Sequence, residues 1–416
     1  MSQSLNLFDA TAISVGAIVG AGIYVVIGLA AGLAGPALLI SMLIAAAVSS
    51  LTALSYAELS ALIPREGGVY EFAHELLSPF WGFLTGWMWL VSNIFTGAAV
   101  SLGFAFYLAP VLPGVPLAAT ASVVCLALTL VNFIGVKRSA TVNDALVVAK
   151  VLILCFFVLF GLLYVRPENF RPFVPSGTGV IYASVYIFFA FGGFARVAAV
   201  AEEVKDARRN VPKAILLSLA ISTLLYVSVG LVAVGLVGGA GLSHSGSPLA
   251  DAIDSTGNSY AFYLVSLGGL LATASVLLSS VLGVSRVMYS MARRGDLPRK
   301  LALVDSTRET PGYAVWVSGI IMIVLVLLVD LQRVVIVSSF ALLFYYAVAN
   351  AAALRVKGVE REYPRIVAVS GLIACLVLLV FVLFVSPNAM AIGAASLAGG
   401  AALYWLRGAA ARSRSS

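Results

Sequence analysis

The sequence predicts an all-α membrane protein with twelve transmembrane helices. Of its 416 residues, 61% are hydrophobic and only 10% are charged, and the mean hydropathy is +1.06. A water-soluble domain cannot bury so large an apolar fraction. Apolar runs of about 18 residues or more recur along the whole chain, and each is long enough to cross a bilayer core of roughly 30 Å.

The predicted spans are helices, because backbone N–H and C=O groups in lipid must be satisfied within a helix or in a closed barrel. The apolar runs are continuous and lack the alternation, over about ten residues, that is typical of membrane-barrel strands. The twelve predicted spans cover residues 8–32, 36–63, 80–110, 117–134, 142–164, 179–201, 212–237, 259–291, 313–329, 334–354, 366–385 and 389–406.

The positions of lysine and arginine predict the orientation. The segments that follow even-numbered spans are basic, whereas the loops on the opposite side carry few basic residues. Basic loops lie on the cytoplasmic side of a membrane, so we expect both termini in the cytoplasm and the protein in the plasma membrane. The net charge of +7 is mostly this bias and does not indicate nucleic-acid binding. The basic segments are 136–138, 205–213, 293–308, 355–365 and 407–414.

Motifs for cofactor, metal or bond-making chemistry are missing from the sequence. Cys125, Cys155 and Cys375 occur singly in apolar spans, which is typical of small core residues. His74 and His244 are isolated and do not have the spacing of a metal site. No GxxxxGK[ST] phosphate-binding loop occurs, and the spans hold no cluster of His, Asp or Glu. We therefore expect neither an enzyme nor a protein with a metal or cofactor.

Glycines interrupt two of the predicted spans. The first span contains Gly16, Gly20 and Gly22 near its middle, and the sixth contains the pair Gly192 and Gly193. Glycine weakens a helix interior by about 1 kcal/mol relative to alanine and permits unwinding. Where a membrane helix opens, the N-terminus of the half-helix attracts an anion, and the freed carbonyls attract a cation. The alternative is that the glycines only permit close helix packing.

The order of the two broken spans favours a binding site. Positions one and six correspond to each other in an inverted repeat of five helices plus five. The sequence thus predicts a first repeat at 1–165 with helices 1–5 and a second repeat at 166–356 with helices 6–10. Residues 357–416 would form helices 11–12 and a basic cytoplasmic tail. This arrangement is typical of transporters that bind their substrate between broken helices.

Four groups of residues resemble motifs of the amino acid–polyamine–organocation transporter superfamily. The first is Gly-Ala-Gly-Ile at 20–23. The second joins Tyr-Ala-Glu-Leu at 56–59 to 64–70 and to Gly86-Trp87. The third runs from the Phe-Gly-Gly-Phe at 191–194 to 213, and the fourth covers 285–298. The resemblance extends over spans one to ten in order, and it implies amino acid transport by alternating access.

The resemblance also implies which residues bind the substrate. The backbone at Ala21 and Gly22 would hold the amino acid carboxylate, and carbonyls near Phe189, Ala190 and Phe191 would meet its amino group. In relatives an aromatic ring at the position of Phe189 covers the substrate as a gate, although such a ring can also be a core or lipid-facing residue. The full predicted set is Ala17, Gly20, Ala21, Gly22, Ile23, Phe189, Ala190, Phe191 and Gly193.

Two departures from the family pattern concern selectivity. Many members carry a glutamate where this chain has Ala195, and Arg196 follows it. We expect Arg196 to form an ion pair with Glu58, Glu202 or Glu203; the alternative is that it biases selectivity. Some exchangers of basic substrates have a polar residue at the position of Ala17. The mostly apolar set of predicted binding residues therefore favours neutral or hydrophobic amino acids.

Lys150 in the fifth span is the candidate coupling residue. Its long side chain can reach back to the cytoplasmic interface. Alternatively, its ammonium fills the position between spans one, five and eight where sodium-coupled relatives hold a cation, near Gly16, Ser279 and Ser280. A lysine in an apolar site can release and rebind a proton. The sequence thus favours proton-coupled symport, with amino acid exchange as the first alternative and a non-transporting membrane sensor as a weaker one.

Overall fold

The computed structural model describes residues 5–20, 22–64, 67–134, 139–173, 177–304, 310–357 and 361–412. These residues form fifteen α-helices, joined by short turns and 3₁₀ segments. The helices are α1 Leu7–Ile18, α2 Ile27–Ala34, α3 Leu38–Leu62, α4 Val69–Leu76, α5 Pro79–Leu108, α6 Leu117–Ile134, α7 Ser139–Gly161, α8 Gly177–Phe191, α9 Ala207–Ser243, α10 Pro248–Asp254, α11 Ser259–Arg293, α12 Gly312–Leu328, α13 Leu331–Ala353, α14 Arg365–Val385 and α15 Pro387–Arg412.

The architecture confirms the predicted class of all-α membrane protein. Ten segments in the described ranges are long and apolar enough to cross a membrane, and the first of them, Leu7–Leu62, is 56 residues long and contains α1, α2 and α3. The apolar helix α12 is shorter, at 17 residues. The extended structure of the described residues is limited to one bridge, between Leu5 and Val204. The count of twelve spans and the inverted repeat stay predictions.

The helices divide into an inner group and an outer group. The apolar stretch of α13 is 89% buried and that of α5 is 78% buried, whereas those of α6 and α15 are 22% and 17% buried. Helix α5 packs against both α11 and α13, and α3 packs against α8 and α9. Large apolar side chains of the outer helices, such as Ile373 and Val380 on α14, are exposed. An exposed apolar surface of this kind is expected where lipid is the solvent.

Both glycine-rich spans are broken at the predicted places. Helix α1 ends at Ile18, and the chain continues as a π-helical turn, Gly22–Val26, before α2. Helix α8 ends at Phe191, and after the turn at Gly192 and Gly193 the chain runs on as a 3₁₀ helix, Phe194–Glu203. Hydrogen bonds in a 3₁₀ helix have poorer geometry than those in an α-helix. The backbone carbonyls after the second break are therefore less firmly bonded than those of α8.

The two breaks also pack directly on each other. A Cβ atom on Gly22 would overlap the Cα and Cβ of Ala190, and one on Gly193 would overlap the backbone of Ala17. The glycines therefore serve both purposes, because they open the helices and also let the two opened segments touch.

The second and fourth motif groups meet at the short helix α4. Tyr56 on α3 accepts a hydrogen bond from the N–H of Val69 at 3.1 Å, at the start of the short helix α4. Arg294, just after α11, forms an ion pair with Glu71 at 2.8 Å. Helix α4, which the hydropathy pattern did not predict, therefore ties α3 to the end of α11.

Candidate functional site

A small cavity lies where the two breaks meet. Its volume is about 50 Å³, which is room for a few water molecules, since one water needs roughly 10–15 Å³ on the same scale. Residues from the two broken spans form one wall, and α5, α11 and α13 form the rest. The lining consists of Ala17, Ile18, Gly20, Gly22, Ser92, Asn93, Thr96, Val100, Phe189, Ala190, Gly192, Gly193, Arg196, Val276, Ser338, Leu342 and Tyr345.

The structure brings six of the predicted substrate-binding residues to this cavity. They are Ala17, Gly20, Gly22, Phe189, Ala190 and Gly193. The side chains of Ile23 and Phe191 are buried elsewhere, and Phe191 packs on the ring of Tyr226 with ring centroids 5.1 Å apart. Ala21 lies outside the described residues. Phe189 lines the cavity and is buried among core residues, so it is not lipid-facing.

Sequence reasoning missed a polar wall between α5 and α13. The hydroxyls of Ser92 and Ser338 lie 3.2 Å apart, and the hydroxyl of Thr96 lies 3.0 Å from that of Ser338. Asn93 stands beside them in the cavity lining. The i, i+4 spacing of Ser92 and Thr96 puts both on one face of α5. This spacing is the feature of the sequence that could have predicted the polar wall. The cavity is therefore less apolar than the residues of the two broken spans alone would make it.

A tyrosine on α9 joins the two breaks. The Tyr226 hydroxyl contacts the carbonyl oxygens of Ile18, at 2.7 Å, and of Ala190, at 3.2 Å. These carbonyls lie beside the break in the first span and the break in the sixth. A second tyrosine, Tyr346 on α13, donates to the carbonyl of Gly192 at 3.0 Å. The fully buried tyrosines thus satisfy backbone groups that the unwinding set free.

Lys150 points into the protein. Its side chain is 0% exposed, and its ammonium donates to the carbonyl of Gly16 at 2.6 Å and to the hydroxyl of Ser275 at 3.0 Å. Gly16 lies on α1 and Ser275 on α11, so the ammonium sits between the first, fifth and eighth predicted spans. It does not reach back to an interface. Backbone carbonyl and hydroxyl oxygens are also the groups that hold a small cation in half-helix sites.

The two serines predicted near Lys150 have other partners. Ser279 donates to the carbonyl of Val276 on its own helix at 3.0 Å. Ser280 accepts a hydrogen bond from Arg196 at 3.5 Å. The serine that binds the ammonium is Ser275, four residues before Ser279 and one turn along the same face of α11. The contact with the ammonium thus comes from the same helix, through Ser275.

Arg196 lines the cavity and does not show the expected ion pair with Glu58. Its guanidinium donates to Asn93 at 3.2 Å and to Ser280 at 3.5 Å, so it points toward α5 and α11. The carboxylate of Glu58 instead accepts a hydrogen bond from the N–H of Glu362 at 2.9 Å. No Arg196 ion pair with Glu203 occurs among the side chains the structure describes, and the side chain of Glu202 lies outside them.

The charges around the cavity are positive. The described part of the lining contains Arg196 and no acidic residue, and Lys150 lies behind the first broken span. No group of three or more potential metal-binding side chains occurs in the described part of the chain. The arrangement offers freed backbone groups, hydroxyls and fixed positive charge, which together suit a small polar molecule that carries a carboxylate.

Comparison with known proteins finds similar sequences among transporters. The family model for amino acid permeases matches residues 5–404. An uncharacterized transporter of Mycobacterium tuberculosis is 35% identical over 411 residues, covering 98% of this chain and 92% of the relative. The branched-chain amino acid permease BcaP of Bacillus subtilis is 32% identical over 386 residues, with coverages of 88% and 83%. The methylthioribose transporter of Bacillus subtilis is 34% identical over 341 residues, with coverages of 77% and 74%.

Proposed function

The chain belongs to the amino acid permease family, and we propose that it moves neutral amino acids across the plasma membrane by proton-coupled symport. The observation that carries this proposal is a cavity enclosed by two broken helices with a buried lysine bound to one of them. The protein is a transporter, not an enzyme, as its family and relatives indicate.

In the proposed fold, twelve helices cross the bilayer and both termini lie in the cytoplasm. Residues 1–165 and 166–356 would form the two inverted repeats, with 357–416 as an addition. The breaks at α1 and α8 would then occupy equivalent places in the repeats, which supports their pairing at one site. Alternating access would expose the cavity first to one side of the membrane and then to the other.

The proposed binding mode uses the backbone for the part that all amino acids share. The N–H groups at the π-helical turn that begins with Gly22 start a new half-helix, which favours a carboxylate. The carbonyls that end α8, around Phe189 and Ala190, favour an ammonium. Phe189 would cover the substrate, because its ring lies in the cavity wall. The tyrosine-held carbonyls give this site a fixed shape before any substrate arrives.

Proton coupling would proceed through Lys150. When protonated, the ammonium holds the carbonyl of Gly16 on the same helix that ends at the first break. Loss of the proton removes that charged hydrogen bond, so the position of α1 and the proton occupancy of Lys150 become linked. A substrate that binds at the break and a proton that binds one turn before it would then favour the same arrangement of α1.

Transport by purified protein in proteoliposomes tests the proposal. An inward proton gradient should drive accumulation of a labelled neutral amino acid above its external concentration, and a proton ionophore should abolish it. A full amino acid panel, with methylthioribose added, should identify the substrate by competition. Uptake that needs internal amino acid and ignores the gradient would establish the exchanger instead. Binding without any flux would favour the sensor.

A further inference from the structure

Arg196 presents a guanidinium to the cavity from the 3₁₀ helix that follows the second break. The two hydrogen bonds described for its side chain both start from one terminal nitrogen, Nη2, and end on Asn93 and Ser280. A guanidinium has five N–H donors in a planar fork. The other terminal nitrogen and Nε therefore hold three donors that these two bonds do not use. Arg196 belongs to the described residues that line the cavity.

Among the residues that the structure describes, no carboxylate of the cavity lining balances this charge. The seventeen described lining residues include no aspartate or glutamate. Glu58 is engaged by the backbone N–H groups of Glu362 and Tyr363, at 2.9 and 3.4 Å. Glu202 follows Arg196 by six residues along the 3₁₀ helix, which is roughly 12 Å at about 2.0 Å per residue. Arg196 reaches away from that helix, toward α5 and α11.

A second positive charge reinforces the field from the far side of α1. Lys150 and Arg196 bind two serines of the same helix, Ser275 and Ser280. The serines are five residues apart, which corresponds to roughly 7.5 Å along α11. An anionic group in the cavity would be attracted by Arg196 and, across α1, by the protonated form of Lys150, whereas a second cation would be repelled by both. In a water-poor cavity these effects are stronger than at a surface.

We propose that Arg196 is the specificity-determining residue of the cavity, binding a carboxylate of the substrate and excluding substrates whose side chain ends in a cation. The proposal rests on the amino acid transport proposed above and refines its substrate class. The planar fork matches the two oxygens of a carboxylate, which makes the interaction directional as well as electrostatic. Asn93 and Ser280 orient the fork through the nitrogen that they share.

The carboxylate can come from two parts of an amino acid. If it is the α-carboxylate, Arg196 acts together with the half-helix that begins at Gly22, and every amino acid depends on it. If it is the side-chain carboxylate, only acidic amino acids depend on Arg196 for binding. In both cases the cavity excludes lysine and arginine. Ligands that lack one carboxylate or the other distinguish the two cases.

Binding to full-length protein in detergent tests the proposal without any variant. Norleucine and lysine have similar chain lengths but differ by one ammonium, so lysine should bind at least about tenfold more weakly. Leucine against leucine amide reports on the α-carboxylate, and glutamate against glutamine reports on the side-chain carboxylate. Lysine binding as tightly as norleucine would overturn the proposal. Failure of the wild type to bind any ligand of the panel would instead overturn the amino acid transport proposed above.

Variants then assign the effect to Arg196. In Arg196→Met the preference for norleucine over lysine should fall below about threefold, whereas Arg196→Lys should keep it because the charge remains. Loss of affinity for all amino acids, but not for leucine amide, identifies the α-carboxylate; loss for glutamate alone identifies the side chain. Arg333→Met, at an exposed ion pair with Asp330, is the matched control and should bind as the wild type does. An unchanged preference in Arg196→Met would refute the assignment.

Discussion

The first and sixth spans are broken by the same residue type, but their opened segments are held differently. Beside the first break, the carbonyl of Gly16 is held by the ammonium of Lys150, and that of Ile18 by Tyr226. Beside the second break, neutral tyrosines hold Ala190 and Gly192. The first segment also regains a helix, through a π-helical turn, while the second continues only as a 3₁₀ helix. In the proposed mechanism, the first break thus depends on a charge that is lost when Lys150 releases its proton, and the second break does not.

This difference indicates a division of labour. In the proposed mechanism, the first segment responds to protonation because its charged hydrogen bond needs the protonated form of Lys150. The second segment carries the fixed charge of Arg196 and is tied to α9 and α13 by hydroxyls that stay in place. We infer that coupling acts on the first break and selectivity on the second.

The largest effect is expected from removing the conditional charge. Lys150→Ala should reduce proton-driven accumulation to the level of protein-free liposomes, because no group remains to link proton occupancy to α1. Substrate affinity should fall by a much smaller factor than accumulation does, since Lys150 does not line the cavity and acts on it only through α1. Uptake under an imposed gradient and ligand binding in detergent measure the two quantities separately.

Lys213 provides a matched control for the loss of a lysine, since it is exposed near the start of α9. Lys213→Ala should accumulate substrate as the wild type does. Full gradient-driven accumulation by Lys150→Ala would show that the two breaks do not differ in the way proposed, and proton coupling through this residue would have to be abandoned.

The second largest effect concerns the contact between the breaks. In Gly193→Ala the added methyl group meets the backbone of Ala17 and Ile18, which cannot turn aside as a side chain can. We expect a loss of about 1–3 kcal/mol in stability and weaker substrate binding, measured by thermal unfolding in detergent and by ligand titration. Gly399→Ala on α15 has open space around it and should be neutral or slightly stabilising. Equal behaviour of the two variants would contradict the close approach.

The sequence predicted much of this arrangement because glycine pairs and apolar runs are local signals. Gly192 and Gly193 mark the second break, and Lys150 stood out as a charge within an apolar run. The partners could not be predicted in the same way. Tyr226 lies 36 residues from Ala190, and Lys150 lies 125 from Ser275. Such contacts depend on how helices pack, which a single sequence does not display.

Arg196 also shows that a single sequence does not reveal which side chains meet. Its nearness in sequence to Glu202 and Glu203 favoured an ion pair, since charges a few residues apart often meet on a helix. The segment instead follows a break and runs as a 3₁₀ helix, so Arg196 faces α5 and α11. The backbone geometry after Gly193 decided the direction of the side chain.

A smaller effect should distinguish the tyrosine that serves both breaks from the one that serves only the second. The Tyr226 hydroxyl has one proton, which the carbonyls of Ile18 and Ala190 share, whereas the Tyr346 hydroxyl donates to the carbonyl of Gly192 alone. We expect a loss of about 1–2 kcal/mol for Tyr226→Phe, which leaves two buried carbonyls without this donor, and a smaller loss for Tyr346→Phe. Tyr260→Phe is the control, because that side chain is 89% exposed. Equal unfolding temperatures for Tyr226→Phe and Tyr260→Phe would show that the Tyr226 hydroxyl does not stabilise the two breaks.

The smallest effect is expected from removing one hydrogen-bond partner of the Lys150 ammonium. Ser275 accepts one of the two hydrogen bonds described for the Lys150 ammonium, so Ser275→Ala should weaken the hold without removing the charge. Steady-state accumulation under a fixed proton gradient should fall by a few fold, in line with about 1 kcal/mol for one bond of several. Ser279→Ala, four residues away and bonded to its own helix, should not change it. A larger loss in Ser279→Ala than in Ser275→Ala would move the coupling contact along α11, toward the position first expected from the sequence.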